Sequence, residues 1–449
     1  MDISQLIPQF GSTLFTLVAF VVALSIIVAI HEYGHYIVGR WSGIKADVFS
    51  LGFGPVLFSR VDKHGTKWQV AALPLGGYVK FRGDADAASA QSDTAAIAEM
   101  SDEDRRATMA GAPLWARALT VAAGPVFNFV LAIVMFAALL LSRGEVSEPL
   151  TVGELRPLPT VQELQEGDVL LSIGGQATPA ADDAVEFSAF MNALPQTNDL
   201  EYVVRRDGDE VTVTGPYPYP PIVSRLVPRS AAYDVGLEQG DVIVTVDGTE
   251  IASFEQIKDA VEASEGRPLL LEVWRDGEVL DFALAPRSVD EPDGDGGFVT
   301  HYRVGIVGSL FFEPARTPPG VLDALGGGFS QTGAIIEGSI SGLWHIVTGQ
   351  ISSCNLSGPV GIAETSGQMA AQGTINFLWF VAVLSAAVGL LNLFPIPVLD
   401  GGHLVFYAYE AVVGRPPHER VLSVLMTLGL ALVLAVMVFS LGNDLILCP

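Results

Sequence analysis

At 449 residues, half of them hydrophobic, and with a mean hydropathy of +0.42, the chain is long enough for several domains and too apolar for an ordinary soluble protein. A formal charge of −26 argues against nucleic acid as a partner. Two cysteines, Cys354 and Cys448, make neither a zinc cluster nor a disulfide framework and leave only a single bridge as an option.

Apolar residues concentrate in four runs, 12–31, 116–142, 374–394 and 421–441, each near the roughly 20 residues that a helix needs to cross hydrocarbon. The first lacks a basic n-region and is too long for a secretory h-region, so it is expected to be a retained membrane helix. It ends in His31-Glu32-Tyr33-Gly34-His35. Histidines four apart share one helical face, so both imidazoles can bind one zinc ion while Glu32, one step round, reaches a water on it. Ionisable groups at the end of a membrane run are costly unless they serve a site.

Arg40, Lys45, Arg117, Arg415 and Arg420 flank the runs on what must be one side, which the positive-inside rule makes cytoplasmic; both termini and the long acidic segment between the second and third runs are then outside. Arg143 is the exception.

Between the first two runs, residues 46–83 alternate in the manner of strands punctuated by Gly and Pro, as in Gly52-Phe53-Gly54-Pro55 and Leu73-Pro74-Leu75-Gly76-Gly77, which predicts hairpins. These form either a small cytoplasmic sheet or strands that dip beside the site and offer an edge to an extended peptide, with Gly76 and Gly77 allowing close approach. Residues 84–100 read as a flexible connection, and Ser101 with Asp104 as a helix start. Within the second run, Asn128 is expected to pack against a neighbouring helix, an approach to the site being the alternative.

The outer region contains a repeat. Leu164 to Gly175 matches Leu237 to Gly248, each with a Gly-Asp turn that leads into a β-rich run. Ser253 to Ala263 reads as a helix, Gly215 to Pro221 as a stiff linker, 290–297 as a solvated linker, and 319–350 as Gly-rich, amphipathic and suited to the outer membrane surface. The third run ends in Asn392-Leu393-Phe394-Pro395-Ile396-Pro397-Val398-Leu399-Asp400-Gly401-Gly402-His403. Two prolines break the helix, and Asp400 follows as the candidate third ligand that catalytic zinc needs. His403 competes for that place; a carboxylate is favoured because it also neutralises the ion.

Together, the H-E-x-x-H motif, the Gly-Phe-Gly-Pro segment, the outer repeat and the stretch from Asn392 to His403 resemble the bacterial site-2 proteases, and the repeat resembles tandem bacterial PDZ domains. The resemblance implies one zinc held by His31, His35 and Asp400, Glu32 as catalytic base, and Asn392, Pro395 and Pro397 helping to accommodate substrate. It departs at Ala387, where such proteins often carry a further Asn. The fold expected is a polytopic α-helical membrane protein with four transmembrane helices, a membrane-associated β-hairpin region and two extracytoplasmic PDZ-like α/β domains. Its segments are 1–43, first helix; 44–112, β region and connector; 113–143, second helix; 144–219 and 220–289, the PDZ-like pair; 290–372, linker and surface region; 373–412, Pro-broken third helix; and 413–449, fourth helix. The function implied is cleavage of the transmembrane segment of single-span proteins already trimmed outside, such as an anti-sigma factor of the sigma-E envelope stress response or a leftover signal peptide, at the bacterial inner membrane. Peptide C-termini are the expected ligands of PDZ grooves, and the lipid bilayer is the surrounding partner. The rival reading is a membrane-anchored tandem-PDZ scaffold with a vestigial or structural metal site; a zinc transporter would need more polar spans.

Overall fold

The computed structural model describes residues 6–84, 97, 99–180, 184–293 and 297–447. Most of the 84–100 connection and Cys448 therefore lie outside the described residues. Among the described residues, four helices are long and apolar enough to cross a membrane, Thr13–Trp41, Leu114–Arg143, Thr374–Asn392 and Glu419–Leu447, one on each of the four apolar runs. The chain divides into two units, one made of residues 1–139, 321–349 and 353–449, the other of residues 140–320 and 350–352.

In the first unit, the first three spans meet through small residues. Ala23 and Ile27 of the first pack with Val381 of the third, and Ala132 and Phe136 of the second pack with Ala382 and Ala386. Without a hydrophobic drive between helices in lipid, such close backbone approach supplies the packing energy. Gly389 shows the constraint: a Cβ there would come 3.1 Å from the Pro125 carbonyl oxygen. The helix Val321–Val347 buries a stripe of Ala324, Gly328 and Thr332, and Gly328 lies against the Ile133 carbonyl. The amphipathic stretch read for the membrane surface thus packs on the second span along one face.

Two long strands, β1 (Ala46–Val61) and β2 (Lys67–Phe81), follow the first span. Each bends, β1 at Gly52 and Gly54 and β2 at Gly76, all with positive φ. Residues 46–51 consequently pair on one side with 67–70 and on the other with 77–81, while 56–61 pair with 67–71. Four segments lie side by side, in the order 56–61, 67–71, 46–51, 77–81. Tyr36 of the first span and Ala116 of the second complete the core beneath Phe49, Val79 and Phe81. Ser101 caps the short helix Asp102–Arg106 by accepting from the Asp104 amide.

The second unit holds the repeat as two four-stranded sheets of the same topology. Gln176–Ala177, Val169–Ile173, Leu200–Arg206 and Asp209–Gly215 lie in that order across one sheet, and Thr249–Glu250, Val242–Val246, Leu269–Arg275 and Glu278–Leu284 across the other. One helix in each connects the short second strand to the third, Ala184–Ala193 and Phe254–Ala263, the latter fixed by a capping box of Ser253 and Gln256. The Gly-Asp turn has one purpose in both copies. Asp168 receives a two-pronged ion pair from Arg206, with nitrogens 2.7 Å away, and the Gln165 amide at 2.8 Å; Asp241 does the same with Arg275, at 2.6 and 2.7 Å, and the Glu238 amide at 2.8 Å.

Two linker expectations are corrected. Gly215 to Pro221 is largely buried, with the Tyr217 hydroxyl donating to the Met191 carbonyl at 2.8 Å; its aromatic rings belong to the core of the first repeat, which the prolines around them conceal in the sequence. Of the expected linker 290–297, residues 294–296 lie outside the described residues, and its start is not a linker either: Arg287–Pro292 pairs antiparallel with Phe298–Arg303. Beyond it, Ile306–Val307 pairs with Arg225–Leu226 of the second repeat and Phe312–Pro314 with Val152–Leu155 of the first. Strands this short carry no readable periodicity. The first repeat is therefore completed by chain from beyond the second, with Phe311 wholly buried in its core.

Two outcomes follow. Phe311→Ala should cost about 3–5 kcal/mol, read by denaturant unfolding, and should open the first repeat to protease before the second; unchanged protection of residues 144–217 would place Phe311 outside that core. Burial alone would raise the Asp168 carboxyl, but hydrogen bonds from Arg206 and the Gln165 amide outweigh it and hold the group below its ordinary value. The stability it contributes is present above about pH 4 and is lost as pH falls through the lowered folded value. Asp168→Asn should accordingly flatten the acid limb of the unfolding profile of this unit, and an unaltered limb would show that other groups govern it.

Candidate active site

The first span carries His31, Glu32 and His35 on adjoining faces of one helix. Asp400 reaches them from a different part of the chain, as the first residue of the helix Asp400–Val413. Its arrival depends on the broken end of the third span. After Asn392, residues 393–399 turn back through short bonds, among them the Ile396 amide to the Phe394 carbonyl at 2.7 Å and the Leu399 amide to the Ile396 carbonyl at 2.8 Å. The break folds so tightly onto the next helix that any Cβ at Gly401 or Gly402 would collide with the carbonyls of Leu393, Phe394 and Ile396. Arg117 of the second span then grips Glu410 with both terminal guanidinium nitrogens, at 3.0 and 2.6 Å, and lies over the Tyr407 ring, fixing the far side of the Asp400 helix.

Three ligand atoms converge. His31 Nε2 is 3.2 Å from Asp400 Oδ2, His35 Nε2 is 3.5 Å from the same oxygen, and the two nitrogens are 3.2 Å apart. Zinc bonds of 2.0–2.1 Å at tetrahedral angles put neighbouring ligand atoms about 3.3 Å apart, so this triangle has the dimensions of one face of a zinc tetrahedron. The side chains are only 12–18% exposed, and Asp400 Oδ2 is buried with no hydrogen-bond partner. A buried carboxylate oxygen facing two imidazole nitrogens needs a cation. His35 Nδ1 lies 2.9 Å from the Thr120 carbonyl, which can only accept; Nδ1 therefore bears the proton and the Nε2 lone pair faces the centre. The residues present fit a zinc ion.

Glu32 sits beside this triangle, and its carboxylate accepts from the Val79 amide on β2. Gly77 makes that approach possible, since a Cβ there would fall 2.9 Å from Val28 Cγ1 and 3.1 Å from Glu32 Cγ. Gly76 faces Phe53 in the same way, at 2.6 Å. The room these two glycines leave is taken by the chain itself. Of the remaining sequence candidates, Asn392 closes the third span with its amide donating to the Val388 carbonyl at 3.1 Å, Pro395 lies in the break, and Pro397 packs on Gly429 of the fourth span. His403 stands in the Asp400 helix but outside the group of three possible ligands.

Two further participants come from the second span, Gly124, which the sequence reading does not single out, and Asn128, for which an approach to the site is the alternative to packing. Gly124 lies where any Cβ would meet His35 Nε2 and, at 2.8 Å, His31 Cε1, so the imidazoles rest on bare backbone of the second span. Asn128, expected to pack, does so through its backbone carbonyl, which accepts from Ser385 Oγ at 2.9 Å, yet its side chain stands 3.2 Å from His31 Nδ1. A glycine four residues before a buried amide in a membrane span is the one signal that points to both.

The sequence matches Peptidase family M50 over residues 19–436. It is 36% identical over 436 residues to a protein of Agrobacterium fabrum named "Putative zinc metalloprotease", covering 95% of each chain, and 36% identical over 431 residues to one of the same description from Rhizobium meliloti, covering 96% of each. It is 31% identical over 461 residues to the regulator of sigma-E protease RseP of Salmonella typhimurium, covering 96% of this chain and 99% of that one. With a match that spans nearly its whole length, the chain belongs to peptidase family M50, the site-2 protease family, and is a metalloprotease.

Proposed function

We propose that this metalloprotease cleaves the transmembrane segment of single-span membrane proteins at a zinc centre formed by His31, His35 and Asp400, with Glu32 as general base. The observation that carries this reading is the triangle of ligand atoms 3.2–3.5 Å apart at the end of an apolar helix, with a carboxylate beside it. When bound, zinc would supply an acidified water and a polarised scissile carbonyl. Glu32 would accept a proton from the attacking water and pass it to the leaving amine; its bond from the Val79 amide holds the carboxylate in place. A scaffold whose metal were merely structural would have no use for a carboxylate so placed.

A helical substrate hides its carbonyls in intrahelical bonds and must be unwound before attack. The segment 77–81 supports this step. Among the described residues it pairs on one side only, with 46–51, while on its other side the Val79 amide meets Glu32 and the Phe81 amide meets Asp84; a substrate strand added there displaces these two bonds and gains the backbone bonds that it loses on unwinding. Gly77 lets this edge approach Glu32 and Gly76 makes room for Phe53, while Asn392, Pro395 and Pro397 would shape the other wall. The two repeats, read as PDZ-like domains outside the cytoplasm at the inner membrane, would screen substrates by the size of their outer part and could hold free C-termini. The similarity to RseP favours an anti-sigma factor as a substrate, with remnant signal peptides of the same single-span form a further class.

Purified in detergent with a model single-span substrate, Glu32→Gln should lose at least about a hundredfold in cleavage rate while retaining zinc. Undiminished cleavage would exclude Glu32 as base. Asp400→Ala should lose bound zinc, measured by metal analysis, and full retention would move the third ligand elsewhere, with His403 the first position to examine.

A further inference from the structure

The second span presents Thr120, Gly124 and Asn128 four residues apart, hence on one helical face, and that face lies against both histidines. Thr120 gives its carbonyl to His35 Nδ1 at 2.9 Å. Gly124 gives an absence of side chain. Asn128 is wholly buried, its Oδ1 has no hydrogen-bond partner, and its Nδ2 stands 3.2 Å from His31 Nδ1. The two ends of a carboxamide are nearly equal in size, so a half-turn of the amide exchanges Oδ1 and Nδ2 without repacking.

We infer that Asn128 is a positioning residue of the metal centre: through Oδ1 it accepts the Nδ1 proton of His31 and thereby fixes the tautomer whose Nε2 lone pair points at the metal. The inference rests on the reading that His31, His35 and Asp400 bind zinc. If His31 Nε2 ligates the ion, Nδ1 must carry the proton, and the group 3.2 Å away must then accept. An amide nitrogen cannot. Oδ1 can, and in doing so acquires the partner that its burial demands. The backbone of the same residue is pinned to the third span by Ser385, so the acceptor is held by two helices. One face of the second span thus orients both imidazoles, His35 through a main-chain carbonyl and His31 through a side chain. Only the second of these can be altered by substitution.

The test measures zinc affinity of the full chain in detergent by chelator competition, for wild type, Asn128→Leu and Asn128→Asp. A carboxylate in place of the amide still accepts, whereas leucine fills the same volume and accepts nothing. Asn128→Asp should bind zinc as tightly as wild type or more so, and Asn128→Leu about 10–100-fold more weakly. Equal affinity in Asn128→Leu would reduce Asn128 to packing and overturn the inference; equal loss in both variants would overturn it as well, because it would mean that the amide donates. Should Asn128→Leu fail to fold, judged by the melting of its metal-free form, histidine-selective NMR of zinc-loaded wild type and Asn128→Asp decides the matter: the His31 Nδ1 proton should be a slowly exchanging, downfield resonance that moves further downfield in Asn128→Asp, and a resonance that the substitution leaves in place contradicts the proposal. Absence of zinc binding in wild type would instead sink the metal site itself, a failure distinguishable from the others.

Discussion

Everything at the centre of this molecule depends on holding a buried carboxylate against two imidazoles that come from the opposite end of the chain. Asp400 Oδ2 lies 3.2 and 3.5 Å from the histidine nitrogens with no other partner, an arrangement that is strongly unfavourable in a low-dielectric interior unless a cation occupies it. The surrounding structure is a set of devices that leave Asp400 no other position. The Pro-broken end of the third span reverses the chain, Gly401 and Gly402 let the reversal close onto the next helix, and the Arg117–Glu410 pair fastens that helix to the second span.

The second span is the member against which the others are aligned. Its backbone touches the histidines at Gly124, its carbonyl at Thr120 orients His35, and Asn128 reaches His31. Gly34, the fourth residue of the H-E-x-x-H motif, answers from the first span, because a Cβ there would meet the Ala123 carbonyl oxygen at 2.5 Å. Two helices thus approach to backbone contact at the level of His31 and His35. Small residues make such contact possible in a membrane interior, and the same residues determine where the imidazoles sit. Structural packing and site geometry are therefore one constraint at this level, and substitutions at Gly34 or Gly124 would disturb both together.

What can be read from the residues alone follows from how far each signal reaches along the chain. The four spans, the strand-like character of 46–83 and the doubled Gly-Asp turn are local periodicities, and each appears where its pattern lies. Asp400 is singled out as well, since a carboxylate placed directly after a doubly broken apolar run is costly without a partner, and the structure brings it to His31 and His35. Features that depend on partners remote in sequence are not legible. Asn128 reads first as a packing amide, with an approach to the site only the alternative, because nothing near it in sequence announces His31. The dipeptide Phe311-Phe312 lies in a stretch that reads as linker, although Phe311 fills the core of the first repeat, far back along the chain. Buried Tyr217 and half-buried Tyr219 in the Gly215 to Pro221 stretch are hidden by the prolines around them. The double bend of β1 and β2, which leaves 77–81 as an edge near Glu32, is announced only by isolated glycines.

The most direct measurement of the central claim is X-ray absorption at the zinc edge of the purified full chain. Two imidazole nitrogens with oxygen ligands at about 2.0–2.1 Å, and loss of this signature in Asp400→Ala with both histidines intact, are the results expected of a centre shared between the first span and the chain after the third. A third imidazole in the wild-type shell, or an unaltered spectrum after removal of Asp400, would contradict it.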